Sequence, residues 1–370
     1  MAPRLVFAGG GTGGHLYPAL AIADAVRAIA PDAEIMFIGT KGKIEARTVP
    51  RYGYAFATIW ISGVRRSLSL STLLVPVKVV TALVQSIRHL RRFHADVVVG
   101  TGGYVCGPPA YAAVLMGIPM VLQEQNSYPG VTTRMLAHRA RQVYLTFERS
   151  RAFLRRQDNT IITGNPVRGA VGSVGRAEGA GRLGLDASKK TLLVVGGSQG
   201  AASINTAMLK AVRDLGALGV QILWLTGERD HGRIQAELAS QTGLGRITVL
   251  PYLERMEDAY AASDLAVCRS GATTLAELTC AGLPSILVPF PFAAADHQTE
   301  NARAVVEQGA ALLCPDGEAA MRLGPMLREL LEHPERLAAM SSAARKAARP
   351  DAAHRIAQSV LSIISSRHDG

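Results

Sequence analysis

One arrangement occurs twice in this chain and constrains its fold more than any other feature: a short apolar run, a glycine-rich loop, then a helical pattern. Leu5 to Ala8 leads into Gly9-Gly10-Gly11-Thr12-Gly13-Gly14-His15 and a helical pattern from about Pro18 to Ile29. Leu192-Leu193-Val194-Val195 leads into Gly196-Gly197-Ser198-Gln199-Gly200-Ala201 and a helix through about Val212. A strand that turns directly into a helix is carried back across the sheet face before the next strand begins, so its neighbours are parallel. A second echo supports the repeat. Ala95-Asp96-Val97-Val98-Val99 runs through a glycine loop and a helix to Gly117-Ile118-Pro119, and Ser263-Asp264-Leu265-Ala266-Val267 does the same to Gly282-Leu283-Pro284. The predicted class is α/β, with two Rossmann-like, doubly wound parallel-sheet domains facing across a cleft. Ligand sites in such sheets lie beyond the strand C-termini.

A length of 370 residues suits two cores rather than one. The boundary is expected between Gly164 and Lys189, where Gly172 to Gly175 and Glu178 to Gly181 are weakly patterned. The expected domains are residues 1–165 and 166–345. An Ala-rich amphipathic stretch from about residue 346 to 370 follows; a return onto the first domain is the arrangement considered, and its period alone does not decide it.

Charge is divided unevenly between the halves. Residues 1–165 carry 19 Lys and Arg against 8 Asp and Glu, whereas residues 166–370 carry 21 against 21. Between Glu45 and Asp96 there are eight basic residues and no acid, which predicts an anionic partner for the first half. Nucleic acid fits poorly, because these residues lack the interleaved aromatics of a stacking platform. Cys106, Cys268, Cys280 and Cys314 form no C-x-x-C pair, which fits a reducing compartment rather than a disulfide or zinc framework. The start of the chain has no leader pattern, and no stretch approaches 18 uninterrupted apolar residues.

Glycine loops that open helices gather backbone N–H groups where the positive helix end favours a phosphate. Four such loops, at residues 9–14, 100–103, 196–200 and 270–272, all follow strands. Gly9, Gly11 and Gly14 satisfy the dinucleotide spacing, but the second strand, Glu34 to Ile38, ends in Gly39-Thr40-Lys41 without the acid a ribose needs, which argues against a nicotinamide cofactor. No Asp-x-Asp is present to bridge a diphosphate through a metal. Helix ends and arginine are therefore expected to supply the positive charge, with no metal and no cofactor.

Several motifs occur in order: Gly10 to His15, Gly102-Gly103-Tyr104, Glu124-Gln125-Asn126, Thr163-Gly164-Asn165-Pro166-Val167-Arg168, Gly196 to Ala201, Cys268-Arg269-Ser270-Gly271-Ala272 and Asp296-His297-Gln298. Together, over residues 4 to about 350, they resemble the MurG family of peptidoglycan N-acetylglucosaminyltransferases. Gln123 stands where that family often has histidine. The resemblance implies a GT-B fold and an inverting transfer of N-acetylglucosamine from its UDP donor to the 4-hydroxyl of the muramyl unit of undecaprenyl-diphospho-muramoyl-pentapeptide.

For the donor, the resemblance implies Glu277 at the ribose hydroxyls and the backbone of Leu253 at uracil. Ala272, Thr273, Thr274, Leu275 and Ala276 form the helix start beneath the nucleotide. Ser198 and Arg168 meet the diphosphate, Asn126 and Gln298 hold the sugar hydroxyls, and Thr12, Gly13 and Gly14 close over them. His15 is the candidate base, or else a hydrogen-bond donor at the loop edge, and Glu124 is the second choice. Gly102, Gly103 and Tyr104 correspond to the acceptor diphosphate site.

Between Leu70 and Leu90 apolar residues recur at helical steps. Leu73, Leu74 and Val77 with Lys78, Arg88, Arg91 and Arg92 read as a surface for anionic lipid, or as a helix packed on the sheet, with Pro76 a possible break. The implied location is peripheral, on the cytoplasmic face of the inner membrane. The rival functions are a transferase of the same fold with another lipid or small-molecule acceptor, a sugar-nucleotide epimerase, and a non-catalytic nucleotide-sugar-binding protein.

Overall fold

The computed structural model of the chain describes residues 2–63, 75–169, 171–197 and 200–368. Leu70, Leu73, Leu74 and Ser198 lie outside them. The described chain forms two compact units, residues 1–168 with 349–370, and residues 169–348.

The first unit contains a seven-stranded parallel sheet. Its strands are β1 (Arg4–Gly9), β2 (Glu34–Gly39), β3 (Ala55–Thr58), β4 (Val97–Gly102), β5 (Met120–Glu124), β6 (Gln142–Leu145) and β7 (Thr160–Ile162), in the order β3-β2-β1-β4-β5-β6-β7. Alternation along β1 explains its unbroken apolar sequence. Leu5 and Phe7 enter one core and Val6 the other, because successive side chains leave opposite faces of a sheet covered on both sides. The direction of winding reverses between β1 and β4, which places a ligand crevice at their C-terminal ends. At that point β4 bulges: Ala8 pairs with Gly100 but Gly9 with Gly102, so Thr101 is the extra residue. Its hydroxyl donates to the His15 carbonyl at 2.8 Å and ties the bulge to the first helix.

That helix spans Gly13–Ile29 and so begins before the predicted Pro18, which lies inside it. The Thr12 carbonyl already accepts from the N–H groups of His15 and Leu16, and this starts the helix at the glycines.

The second unit holds a six-stranded parallel sheet. Its strands are β8 (Thr191–Val195), β9 (Gln221–Leu225), β10 (Ile247–Leu250), β11 (Leu265–Cys268), β12 (Ser285–Leu287) and β13 (Ala311–Leu313), in the order β10-β9-β8-β11-β12-β13. The reversal now falls between β8 and β11. Leu192 and Val194 face one core and Leu193 the other, as in β1.

One expectation is corrected here. The weakly patterned glycine stretch after residue 172 contains a helix, Arg176–Arg182, which packs on the helix Met256–Ala262. A Cβ at Gly179 would lie 2.6 Å from the Asp258 carbonyl, so glycine permits the close approach, and Arg182 pairs with Asp258 at 2.9 Å. Among the described residues the helix that carries Pro76 runs Val75–Phe93, and the preceding part of the apolar run, Leu70 to Leu74, lies outside them.

The final helix, Ala352–His368, belongs to the first unit. Ile356, Ala357, Val360 and Ile364 enter the core of Leu5, Phe7, Leu16 and Leu20. Tyr144 on β6 donates to Ser359 Oγ at 2.8 Å, and burial pushes its phenol up to about 12.

Candidate active site

In the first unit the site is built on the ends of β1, β4, β5 and β7. Gly102 and Gly103 both adopt left-handed φ, +95° and +75°, a region that disfavours any Cβ. A Cβ on Gly102 would stand 2.9 Å from His15 Nδ1, and one on Gly103 3.1 Å from His15 Cδ2. The glycine pair is thus the bed on which the imidazole lies. Tyr104, the third member of that motif, packs its ring against Gly11.

His15 is half-buried, and its Nδ1 lies 2.9 Å from Gln125 Oε1. Among the described residues no hydrogen bond reaches Nε2. Thr12 and Gly14 are exposed beside it and Gly13 is half-buried. The loop is shaped from beneath by Glu45, a residue that the sequence reading passed over. Its buried carboxylate accepts from Gly11 N at 3.0 Å, Thr40 N at 3.1 Å and Thr40 Oγ1 at 2.7 Å. The Gly11 N–H is therefore already used and does not face a phosphate.

Glu124 has a structural task as well. Its Oε1 accepts from the Asn126 backbone N–H at 3.1 Å and its Oε2 from that of Gly130 at 3.0 Å, and the residue is buried. A carboxylate occupied with closing its own turn is poorly placed to collect a proton, so the geometry favours His15 over Glu124. Asn126 is held in that turn, its Nδ2 3.4 Å from Glu124 Oε1. Arg168 lays its guanidinium 5.1 Å from the Tyr52 ring centroid and pairs with no carboxylate among the described residues.

In the second unit the helix Ala272–Ala281 starts at Gly271, directly after β11, and ends at Gly282 in the left-handed conformation. The Leu283 N–H reaches back to the Leu278 carbonyl at 2.9 Å, which closes that end. Glu277 lies on this helix, half-buried, and its Oε2 accepts from Tyr260 Oη at 2.7 Å. Tyr260 is buried, and burial and the nearby Glu277 charge raise its phenol well above the ordinary range, so it remains a donor. Sequence spacing gave no hint of Tyr260, because 17 residues and a strand separate the pair.

Arg269, the cation of the Cys-Arg-Ser-Gly-Ala motif, is tied down by Asp316 at 2.5 Å and by the Val288 and Pro289 carbonyls. It fixes the loop after β12 and is not free for a diphosphate. On that loop Ala295 and Asp296 both have φ of +52°, an uncommon conformation for residues with a Cβ. The strained turn delivers Gln298, whose Oε1 accepts from the Phe290 N–H at 3.0 Å. Its amide nitrogen has no partner among the described residues. Leu253 is half-buried just beyond β10, and Thr273 and Thr274 are half-buried in the first turn of the Glu277 helix. No cluster of three or more potential metal ligands occurs among the described residues.

Two family descriptions match this architecture. Residues 5–145 match the glycosyltransferase family 28 N-terminal domain and residues 191–356 the glycosyltransferase family 28 C-terminal domain. The chain belongs to glycosyltransferase family 28. Its two parallel sheets are those of a GT-B enzyme, and family 28 membership makes it a glycosyltransferase. Among relatives, a protein of Salinibacter ruber (strain DSM 13855 / M31) is 43% identical over 98% of this chain and 97% of its own length. One of Desulfitobacterium hafniense (strain Y51) is 45% identical over 95% and 97%. Both are named UDP-N-acetylglucosamine--N-acetylmuramyl-(pentapeptide) pyrophosphoryl-undecaprenol N-acetylglucosamine transferase. The crystal structure of Acinetobacter baumannii MurG superposes with a TM-score of 0.77 at 28% identity, covering 97% of this chain and 99% of that one. A UDP-N-acetylglucosamine 2-epimerase superposes at 0.69 with 15% identity, which shows a shared fold only.

Proposed function

We propose that this family 28 enzyme transfers N-acetylglucosamine from UDP-N-acetylglucosamine to the 4-hydroxyl of the muramyl unit of undecaprenyl-diphospho-muramoyl-pentapeptide, converting lipid I to lipid II. The observation that carries this reading is the near full-length similarity, at 43% and 45% identity, to transferases named for that reaction. The acceptor oxygen attacks the anomeric carbon opposite the diphosphate, and His15 Nε2 takes the hydroxyl proton as the new C–O bond forms. The bond to UDP breaks and its electron pair leaves with the diphosphate, for which Arg168 is the proposed cation, Ser198 a proposed hydrogen-bond donor and the helix starts proposed sources of N–H groups. Gly102, Gly103 and Tyr104 form the floor near the acceptor diphosphate. Thr12, Gly13, Gly14 and Asn126 of the first unit, and Gln298 of the second, are the proposed contacts of the transferred sugar. Product analysis with UDP-N-acetylglucosamine and a short-chain lipid I tests the whole reading. Donor turnover without acceptor would point to an epimerase, and tight UDP binding without turnover to a sensor.

Glu277 is proposed to accept from both ribose hydroxyls, with Tyr260 orienting its carboxylate and Leu253 and residues 272–276 lining the nucleoside. Glu277→Ala is expected to raise the KM for UDP-N-acetylglucosamine by about 10- to 100-fold, the loss of charge-assisted hydrogen bonds, with a smaller change in kcat. An unchanged donor KM in steady-state assays removes Glu277 from the donor site.

The enzyme is further proposed to work on the cytoplasmic face of the inner membrane through the helix Val75–Phe93. No helix among the described residues is long and apolar enough to cross a membrane. Ala82, Ser86 and Leu90 are buried, whereas Val77, Val80 and Val84 are 53%, 61% and 60% exposed. At helical spacing these valines continue into exposed Arg88 and Arg91, with Arg92 beside them, giving one stripe that passes from apolar to cationic. Lys78 bonds Ser62 and lies 5.7 Å from the Trp60 ring centroid at the apolar end. The buried residues put one face of the helix on the first unit, and the lipid surface is proposed for the exposed face. Removing Arg88 and Arg91 together should weaken sedimentation with anionic vesicles by about tenfold or more, roughly 1 kcal/mol for each charge, and leave neutral vesicles unaffected. Equal binding of the double variant to anionic vesicles sinks the assignment.

A further inference from the structure

Behind His15 a row of buried amides runs in one direction. Gln125, only 2% exposed, places its Nε2 among groups that can only accept: the Thr101 carbonyl at 2.7 Å, the Gln123 carbonyl at 3.3 Å, and Gln123 Oε1. Gln123, fully buried, in turn directs its own Nε2 to Asn165 Oδ1 at 3.2 Å and Thr146 Oγ1 at 3.5 Å. The Thr146 hydroxyl donates to the Glu124 carbonyl, so its oxygen is left to accept from Gln123. Exchanging amide N and O at Gln125 or Gln123 would therefore set acceptor against acceptor, and exchanging them at Asn165 would set donor against donor. The polarity ends at Gln125 Oε1, an acceptor 2.9 Å from His15 Nδ1.

We infer that Gln125 is a positioning residue that locks His15 as the Nδ1–H tautomer, through an amide relay begun by Asn165 and Gln123. A neutral imidazole has one N–H and one lone pair, and a bond at one nitrogen decides which is which. With the proton fixed at Nδ1, the lone pair stands on Nε2, the nitrogen without a protein partner among the described residues. The neighbouring structure holds the ring in that setting. Gly102 and Gly103 have no Cβ to push it aside, and Thr101 grips the His15 carbonyl through the bulge. Free imidazole side chains favour the other tautomer, so an unconstrained His15 would offer an N–H, not a base, to an arriving hydroxyl. The position before the Glu-Gln-Asn run bears on the same point. An amide at 123 has a donor and an acceptor, and both are engaged here in the direction the relay requires.

The inference rests on the reading of His15 as the acceptor's base, and the test separates the two. The full-length enzyme labelled with 15N-histidine is observed by long-range proton–nitrogen correlation at a pH where the imidazole is neutral, with His15→Gln identifying the signals. The expected result is a protonated Nδ1 and an unprotonated Nε2 for His15. In Gln125→Met, which keeps length but removes the acceptor, His15 should move towards the Nε2–H form. Its kcat should fall by about tenfold or more while the KM for UDP-N-acetylglucosamine stays within about twofold. An Nε2–H tautomer in the wild-type enzyme overturns the inference, even if no Gln125 variant folds. So does Gln125→Met with unchanged tautomer and kcat. If instead His15→Ala retains full kcat, the base assignment fails while the tautomer measurement still decides the role of Gln125.

Discussion

Replacing His15 with alanine is expected to lower kcat by about 10²- to 10⁴-fold, the range for losing a positioned general base. The KM for UDP-N-acetylglucosamine should change little, since the ring lies on Gly102 and Gly103 at the end of β4 whereas Glu277 and Leu253 belong to the other unit. The split between the two constants separates proton removal from ground-state binding. Steady-state rates with lipid I held saturating provide the measurement. A loss confined to KM would return His15 to the rank of a hydrogen-bond donor at the loop edge. Alanine also removes contacts from the glycine bed, so a thermal midpoint close to that of the wild-type enzyme must accompany the kcat loss. Glu124→Gln supplies the contrast. Its turn depends on carboxylate oxygens accepting from Asn126 and Gly130, so the expected defect is in stability rather than in the chemical step.

Truncation before Ala352 should have the second large effect, this time on folding. Ile356, Val360 and Ile364 are buried against the face of the first sheet that carries Leu5 and Phe7. Burying three such aliphatic side chains contributes roughly 5–9 kcal/mol, comparable with the whole margin of an ordinary domain. The shortened chain should lose the cooperative unfolding transition of the first unit while residues 169–348 keep theirs, as followed by calorimetry and limited proteolysis. Ile356→Ala gives a milder version, about 2–5 kcal/mol of destabilisation. A truncated protein with both transitions intact would show that the helix covers the sheet without supporting it.

Sequence alone conveyed the fold class, because the information is local. A strand, its glycine loop and the following helix are contiguous, so the two doubly wound sheets were legible from Leu5 to His15 and from Leu192 to Ala201. The order of the motifs likewise conveyed the family, and the resemblance made His15 a candidate base. Local pattern failed where close approach replaces periodicity. The helix Arg176–Arg182 depends on Gly179 meeting the Asp258 carbonyl, a neighbour far away in the chain.

The inner support of the site was invisible for the same reason. Glu45 beneath Gly11, Tyr260 against Glu277 and the relay from Asn165 to His15 join residues brought together only by tertiary packing, of neighbouring strand ends or, for Tyr260 and Glu277, of two helices. Side-chain hydrogen bonds act over about 3 Å and carry no sequence period, so no spacing rule announces them. The same holds for the final helix. Its amphipathic pattern required an apolar partner but did not name one, and only the tertiary structure, with Tyr144 and Ser359 in contact, assigned it to the first unit.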